Sequence, residues 1–283
     1  MTERSSDVTS ATTTNAATTN AVSPAEAQER LSSILGLKSE PVGVFLLTDQ
    51  ATEAPPFSEW RRLSKHRYCQ ALMRARRGAA VVLRPEELSC PAAAAAFGMR
   101  PLPEGLANGK GLVGFGIVQE PATGARMFRD MPRLEPTSVA AIALAPLRLA
   151  PRTPDVIVIE GTPEQLMWVL LADLNREQGA RRTAHTAVLQ ATCVDSTIVP
   201  FVEGSLNFSL GCYGCREATD LAPSETVIGF PGELLDPLME RLSALAQKAI
   251  PRSRAKGVHA ALVAADAQAD HAEDSPFDDG ERR

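Results

Sequence analysis

Cys212 and Cys215 form a Cys-x-x-Cys pair in the run Gly211-Cys212-Tyr213-Gly214-Cys215-Arg216, and Cys69, Cys90 and Cys193 lie upstream. Two thiols separated by two residues can turn toward one centre, because the chain can reverse between them. That geometry suits a metal, a cluster or a dithiol couple. Cys212 stands between Gly211 and Gly214, where backbone can fold closely around a ligand, and Arg216 nearby would favour a thiolate. Taken one at a time, Cys69, Cys90 and Cys193 read as small buried apolar residues, the common fate of a free cysteine. Four thiolates together would suit structural zinc or an iron-sulfur cluster. Zinc modules usually show two tight Cys-x-x-Cys knuckles and this chain has one, so dispersed ligands on a large core fit a buried cluster better.

Other chemistries are weaker. Gly109-Lys110-Gly111-Leu112-Val113-Gly114 has the G-x-G-x-x-G spacing of dinucleotide loops. Its glycines run into an apolar segment, Val113 to Val118, rather than from a strand into a helix, so a turn entering a strand is the preferred reading. The four histidines, His66, His185, His259 and His271, form no H-x-x-x-H pair. A histidine-built catalytic zinc site is not indicated, and His66, three residues before Cys69, reads as solvent-facing. Ser205, Ser209 and Ser224 lack the G-x-S-x-G elbow of an α/β-hydrolase.

The elements that must position these residues follow from pattern and composition. The chain has 283 residues, 44% of them hydrophobic, enough to bury a core without disulfides. An odd number of cysteines and no export signal at the start point to a reducing compartment, hence a cytoplasmic protein. A net charge of -5 and a pI near 5.5 disfavour nonspecific nucleic-acid binding. The basic run from Arg61 to Arg77 reads as a solvated helix face. No apolar stretch reaches the ~20 residues of a membrane span.

Residues 1–22, rich in Thr, Ser, Ala and Asn, read as a disordered tail, and residues 251–283 as a mobile one. Between them, over residues 23–250, strand-like and helical segments interleave. The result expected is an α/β or α+β fold, a single compact domain with a mixed sheet and flanking helices. Helices are expected from Pro24 to Leu35 with Ser23 as cap, around Tyr68 to Arg77, and after Ser89-Cys90-Pro91. Two more are expected from Pro163 to about Gln178 with Thr162 as cap, and from Glu233 to Ala249. Strands are expected over Pro41 to Thr48, Ala79 to Leu83, Gly111 to Val118, Val139 to Leu144, Val156 to Ile159, Asn207 to Leu210 and Val227 to Phe230. Val188 to Val202 fits either state.

Several of these stretches carry a family resemblance: Pro41-Val42-Gly43-Val44, Tyr68-Cys69-Gln70-Ala71, Ser89-Cys90-Pro91, Met131-Pro132-Arg133-Leu134, Gly161-Thr162-Pro163-Glu164-Gln165 and Gly211-Cys212-Tyr213-Gly214. With them the chain resembles a bacterial and archaeal family known as domain of unknown function number 169. The resemblance implies cysteines at the positions of Cys69, Cys90, Cys193 and Cys212, whereas Cys215 falls where members often have another residue. It therefore implies a four-cysteine site and carries no activity with it. The resulting expectation is an iron-sulfur cofactor held by Cys69, Cys90, Cys193 and Cys212, serving electron transfer or an oxidoreductase, with a redox partner or small molecule as its counterpart. Two alternatives stand beside it. One is a thiol enzyme using Cys212 alone or Cys212 with Cys215; the other is a noncatalytic ligand-binding accessory protein with structural cysteines.

Overall fold

Val42, Val44, Phe45 and Leu47 are all buried within one six-residue strand, a pattern that requires cover on both faces. The computed structural model, which describes residues 22–273, provides that cover. The tail expected over residues 1–22 lies almost wholly outside the described residues.

Seven strands form one mixed sheet. They are β1 (Val42–Leu47), β2 (Arg61–Arg62), β3 (Val81–Leu83), β4 (Ala141–Pro146), β5 (Val156–Gly161), β6 (Asn207–Ser209) and β7 (Thr226–Pro231), in the order β2-β3-β4-β1-β5-β7-β6. Only the β2–β3 pair is parallel; every other neighbouring pair is antiparallel. The helices are α1 (Pro24–Leu35), α2 (Asp49–Glu53), α3 (Tyr68–Ala75), α4 (Pro91–Ala96), α5 (Glu104–Ala107), α6 (Lys110–Gly114), α7 (Pro121–Arg129), α8 (Pro163–Arg176), α9 (Val199–Glu203), α10 (Tyr213–Ala218), α11 (Leu235–Ala255) and α12 (Gly257–Glu273). A π-helix, Ala191–Ile198, precedes α9.

Period-two alternation sorts the strand residues between the faces. In β5, Val156 and Val158 pack with α3, α4 and the π-helix, whereas Ile157 and Ile159 pack with α1, α8 and α11. The first face also holds Cys193, Cys212 and Cys215.

Local signals fix several boundaries. The Ser23 hydroxyl accepts from the Glu26 N–H, and Gly36 closes α1 at φ 71°. Thr162 and Gln165 form a reciprocal capping box on α8.

Three expectations change. Gly111 to Val118 is not a strand: α6 occupies its first part, and Gly109 stands at φ 77° with its Cα against α7. A Cβ there would lie 1.9 Å from the Pro121 carbonyl oxygen, so the glycine run serves close helix packing rather than a phosphate. Val188 to Val202 becomes the π-helix and α9. The stretch from Pro251 continues α11 to Ala255 and resumes as α12.

A buried charge network ties α3 to the sheet. The Arg76 guanidinium lies 3.0 Å from the Glu160 carboxylate, 2.5 Å from Asp220 and 3.8 Å from Glu225. Burial outweighs the attraction of Arg76 and pushes the Glu160 carboxyl up to about 7. A carboxyl that holds its proton more tightly when folded contributes stability that is fully present below its unfolded value near 4.5. That contribution is lost as pH rises through about 7. Urea melts of wild type and Glu160→Gln should therefore diverge with pH, the variant gaining about 2 kcal/mol relative to wild type between pH 5 and pH 8. A pH-independent difference would show that Glu160 is ionised throughout.

Candidate cysteine site

Cys69 and Cys90 are brought together by the chain leading into their helices. His66 pairs with Leu88 in a parallel bridge: the His66 N–H donates to Glu87 O at 3.1 Å and the Ser89 N–H to His66 O at 2.9 Å. The starts of α3 and α4 thus run side by side. Cys69 is the second residue of α3 and Cys90 is the residue before α4, where its sulfur makes no capping bond. The buried Tyr68 ring stacks on Phe97 just past α4, with centroids 5.0 Å apart. His66 is half-buried and its Nδ1 lies 2.7 Å from Ser64 O, a role in shaping this turn.

Cys193 is placed by the π-helix. Gln190 enters it in the left-handed conformation, φ 62°, and the wide turn sends side-chain donors back to carbonyls five residues earlier. Ser196 Oγ donates to Ala191 O at 3.0 Å and Thr197 Oγ1 to Thr192 O at 2.8 Å. Thr197 Oγ1 is also 2.8 Å from the Tyr68 hydroxyl, which locks the π-helix to α3. The π-helix lies directly on β7, because a Cβ on Gly229 would stand 1.9 Å from Ser196 O. Asn207 closes the other side, its amide donating to Asp195 O at 2.7 Å.

Cys212 and Cys215 open α10. Gly211, at φ 85°, supplies the left-handed turn that aims Cys212 inward. The Cys212 N–H donates to Cys215 Sγ at 2.9 Å, and the Cys215 N–H to Cys212 Sγ at 3.2 Å. Arg67 and Gln70, on either side of Cys69, grip the same helix. Arg67 Nη1 donates to Gly214 O at 3.0 Å and pairs with Glu217 at 2.8 Å, and the Gln70 amide donates to Ala218 O at 3.2 Å. The expected role of Arg216 changes: its guanidinium is spent on the backbone carbonyls of Ala222, Glu225 and Leu210, so it braces the loop rather than the thiol.

Cys69, Cys90, Cys193 and Cys212 thereby share one neighbourhood. Cys69, Cys90 and Cys212 line one cavity of about 580 Å³, together with Cys215, and Cys193 lies close enough to feel charge on Cys90, Cys212 and Cys69. Their acidities diverge. Burial pushes Cys69 up to about 12 and Cys193 well above the ordinary thiol value. Cys212 is held down at about 6 by a hydrogen bond from the Cys215 thiol, opposed by burial and reinforced by the backbone N–H groups of Ala191, Cys215 and Gln190. Cys215 is correspondingly pushed up. Cys212 is thus the most acidic thiol of the group, and its sulfur accepts from the Cys215 N–H at 3.2 Å.

Among the described residues, no three His, Cys, Asp or Glu side chains gather tightly enough to ligate a single metal ion. Sulfurs bound to one tetrahedral zinc at ~2.3 Å stand only ~3.8 Å apart. A multi-iron cluster carries its ligands on separate iron atoms and so spreads them further. Cys69, Cys90 and Cys212 on the cavity lining, with Cys193 nearby, are soft sulfur donors of the kind such a cluster takes.

A family model described as "Uncharacterised ArCR", domain of unknown function number 169, matches residues 30–241. The chain belongs to this family. All the cysteines discussed lie inside the matched region. A curated member-like relative, the uncharacterised protein MJ0308 of Methanocaldococcus jannaschii, is 30% identical over 154 residues, which span 54% of this chain and 65% of that protein. The chain therefore covers just under two thirds of the relative's length. No solved structure matches.

Residues that sequence pattern did not single out complete the site, Gln190 and Thr192 in its wall and Tyr68 and Gln70 in its frame, while Arg67, expected on a solvated helix face, grips α10 instead. Tyr68 and Gln70 belong to one of the stretches that carried the resemblance, the only signal that could have pointed to them.

In metal-free, reduced protein, a small neutral alkylating reagent should modify Cys212 before the other cysteines, with a half-maximal rate near pH 6. Cys215→Ala removes the strongest of its donors and should move that midpoint upward. Peptide mapping by mass spectrometry across pH reads both, and equal labelling of all five thiols would contradict the assignment.

Proposed function

We propose that this protein holds an iron-sulfur cluster through Cys69, Cys90, Cys193 and Cys212 and takes part in electron transfer, alone or as an oxidoreductase component. The observation that carries this reading is the convergence of four cysteines from α3, the α4 cap, the π-helix and the α10 cap on one partly buried neighbourhood. Such a cluster supplies one-electron chemistry at a potential set by burial and by hydrogen bonds to its sulfurs. The protein's own contribution is visible in the N–H groups of Gln190, Ala191 and Cys215 around Cys212, which stabilise negative charge on that sulfur.

Protein prepared without oxygen should contain iron and acid-labile sulfide and absorb in the visible. Each single Ser substitution at Cys69, Cys90, Cys193 or Cys212 should strip most of that absorption, while Cys215→Ser retains it. Colourless protein free of iron and sulfide overturns the reading.

A second reading rests on a different observation, the reciprocal bonding of Cys212 and Cys215 at a helix start with their acidities pushed apart. That is the arrangement of a dithiol couple, in which the low-pKa thiolate attacks and the buried partner resolves. Here Cys212→Ser and Cys215→Ser would both abolish activity in a thiol-disulfide exchange assay, and Cys69→Ser would not.

A further inference from the structure

The cavity is larger than its thiol end. Beyond the cysteines its wall is formed by the apolar side chains of Leu106, Leu112, Phe115, Ile117 and Phe128, carried by α5, α6, α7 and their connections. Phe115, 67% exposed, and Tyr213, 57% exposed, stand where it meets solvent. A volume of about 580 Å³ lies within the range of small-molecule sites. Arg67 and Glu217 on its lining neutralise one another at 2.8 Å, so away from the Cys212 sulfur the wall offers no spare charge.

Two polar side chains face this apolar setting. Gln190 is 7% exposed and Thr192 is 2% exposed, and both line the cavity. The hydrogen bonds of their segment run through its backbone carbonyls, to Cys193 Sγ, Ser196 Oγ and Thr197 Oγ1. Neither side chain is among the buried polar atoms left without a partner, so both open onto the cavity, within reach of a polar atom inside it. A few polar groups set in a mostly apolar cavity fix the orientation of a ligand that brings a polar atom of its own.

We propose that this cavity binds a neutral, largely apolar molecule of one or two rings that carries a hydroxyl or carbonyl oxygen. The rings lie against Leu112, Phe115 and Phe128, and the oxygen meets Gln190 and Thr192. This inference does not rest on the cluster reading: it uses the side chains of Gln190 and Thr192 and the apolar wall, and none of the four cysteines. Iron and sulfide analysis tests the one and ligand binding the other.

The full chain, purified without oxygen, is titrated calorimetrically with three probes of similar size: 2-naphthol, naphthalene and the anion 2-naphthoate. One-to-one saturable binding of 2-naphthol is expected, with naphthalene and 2-naphthoate each about tenfold weaker or more. In Gln190→Leu/Thr192→Val, 2-naphthol should weaken about tenfold, to the level of naphthalene, while naphthalene itself binds as in wild type and so reports an intact cavity. Leu106→Trp, which fills the wall away from the cysteines, should abolish both. No saturable binding to wild type overturns the proposal. So does 2-naphthoate binding as tightly as 2-naphthol, or 2-naphthol affinity unmoved by the double substitution. If the double variant fails to fold, Leu106→Trp decides: unchanged 2-naphthol binding there also overturns it.

Discussion

The carbonyl oxygen of Ser196 rests against the Cα of Gly229, and the arrangement of the cysteines depends on that contact. Any side chain at Gly229 would lift the π-helix off β7. The wide turn of the π-helix then sets Cys193 beneath the cavity and exposes the N–H groups of Gln190 and Ala191 to the sulfur of Cys212. The Tyr68–Thr197 bond carries the same constraint into α3, where the next residue is Cys69. One close approach between a helix and a strand thus fixes three of the four sulfurs relative to the sheet. π-Turns carry a cost in hydrogen-bond geometry, and here Ser196 and Thr197 offset it by bonding back to the carbonyls that the wide turn leaves open.

Charge keeps the remaining pieces in place. Arg76 sits almost fully buried among Glu160, Asp220 and Glu225, linking the end of α3 to β5 and to the segment that follows α10. Arg67 links the start of α3 to α10 directly. With both ends of α3 tied to the same neighbourhood, Cys69 and Cys212 have little freedom to separate. A buried ion pair of this kind is weak evidence for net stability, since desolvation opposes the attraction. Its effect here is positional: it selects one docking of α10 against α3.

The cysteine neighbourhood combines thiols held neutral at the half-buried Cys69 and the buried Cys193 with one favoured thiolate at Cys212. Such an arrangement suits both a metal that takes up thiolates as it binds and a dithiol couple that works through a single attacking sulfur. The two differ in what they ask of Cys215. As a ligand set, the four family cysteines leave Cys215 as a donor to its neighbour's sulfur. As a couple, Cys215 is indispensable. The same short turn is compatible with either demand, because the reciprocal bonds at the start of α10 are made by its own two cysteines.

Much of the architecture was legible in the chain. Ser23 and Thr162 announced their helices because capping is a local matter of one side chain and one backbone N–H, and β1, β5 and β7 declared themselves as short apolar runs between breakers. The alternation of strands and helices fixed the fold class. Sequence by itself also marked Cys212, through its glycine neighbours, and the likeness to a family gathered Cys69, Cys90 and Cys193 around it. Tertiary structure decided the rest. Gly111 to Val118 is helical in its first part, although its composition suits a strand, because Gly109 packs directly on α7. The π-helix is not written in periodicity, since its wide turn is sustained by contacts with β7 and α3 that lie far off in the chain. The same holds for the cavity wall, for Gln190 and Thr192 within it, and for Arg216, whose charge is taken by carbonyls that only the folded loop presents. Local bonding is determined by neighbours in sequence, and convergence by which surfaces can approach.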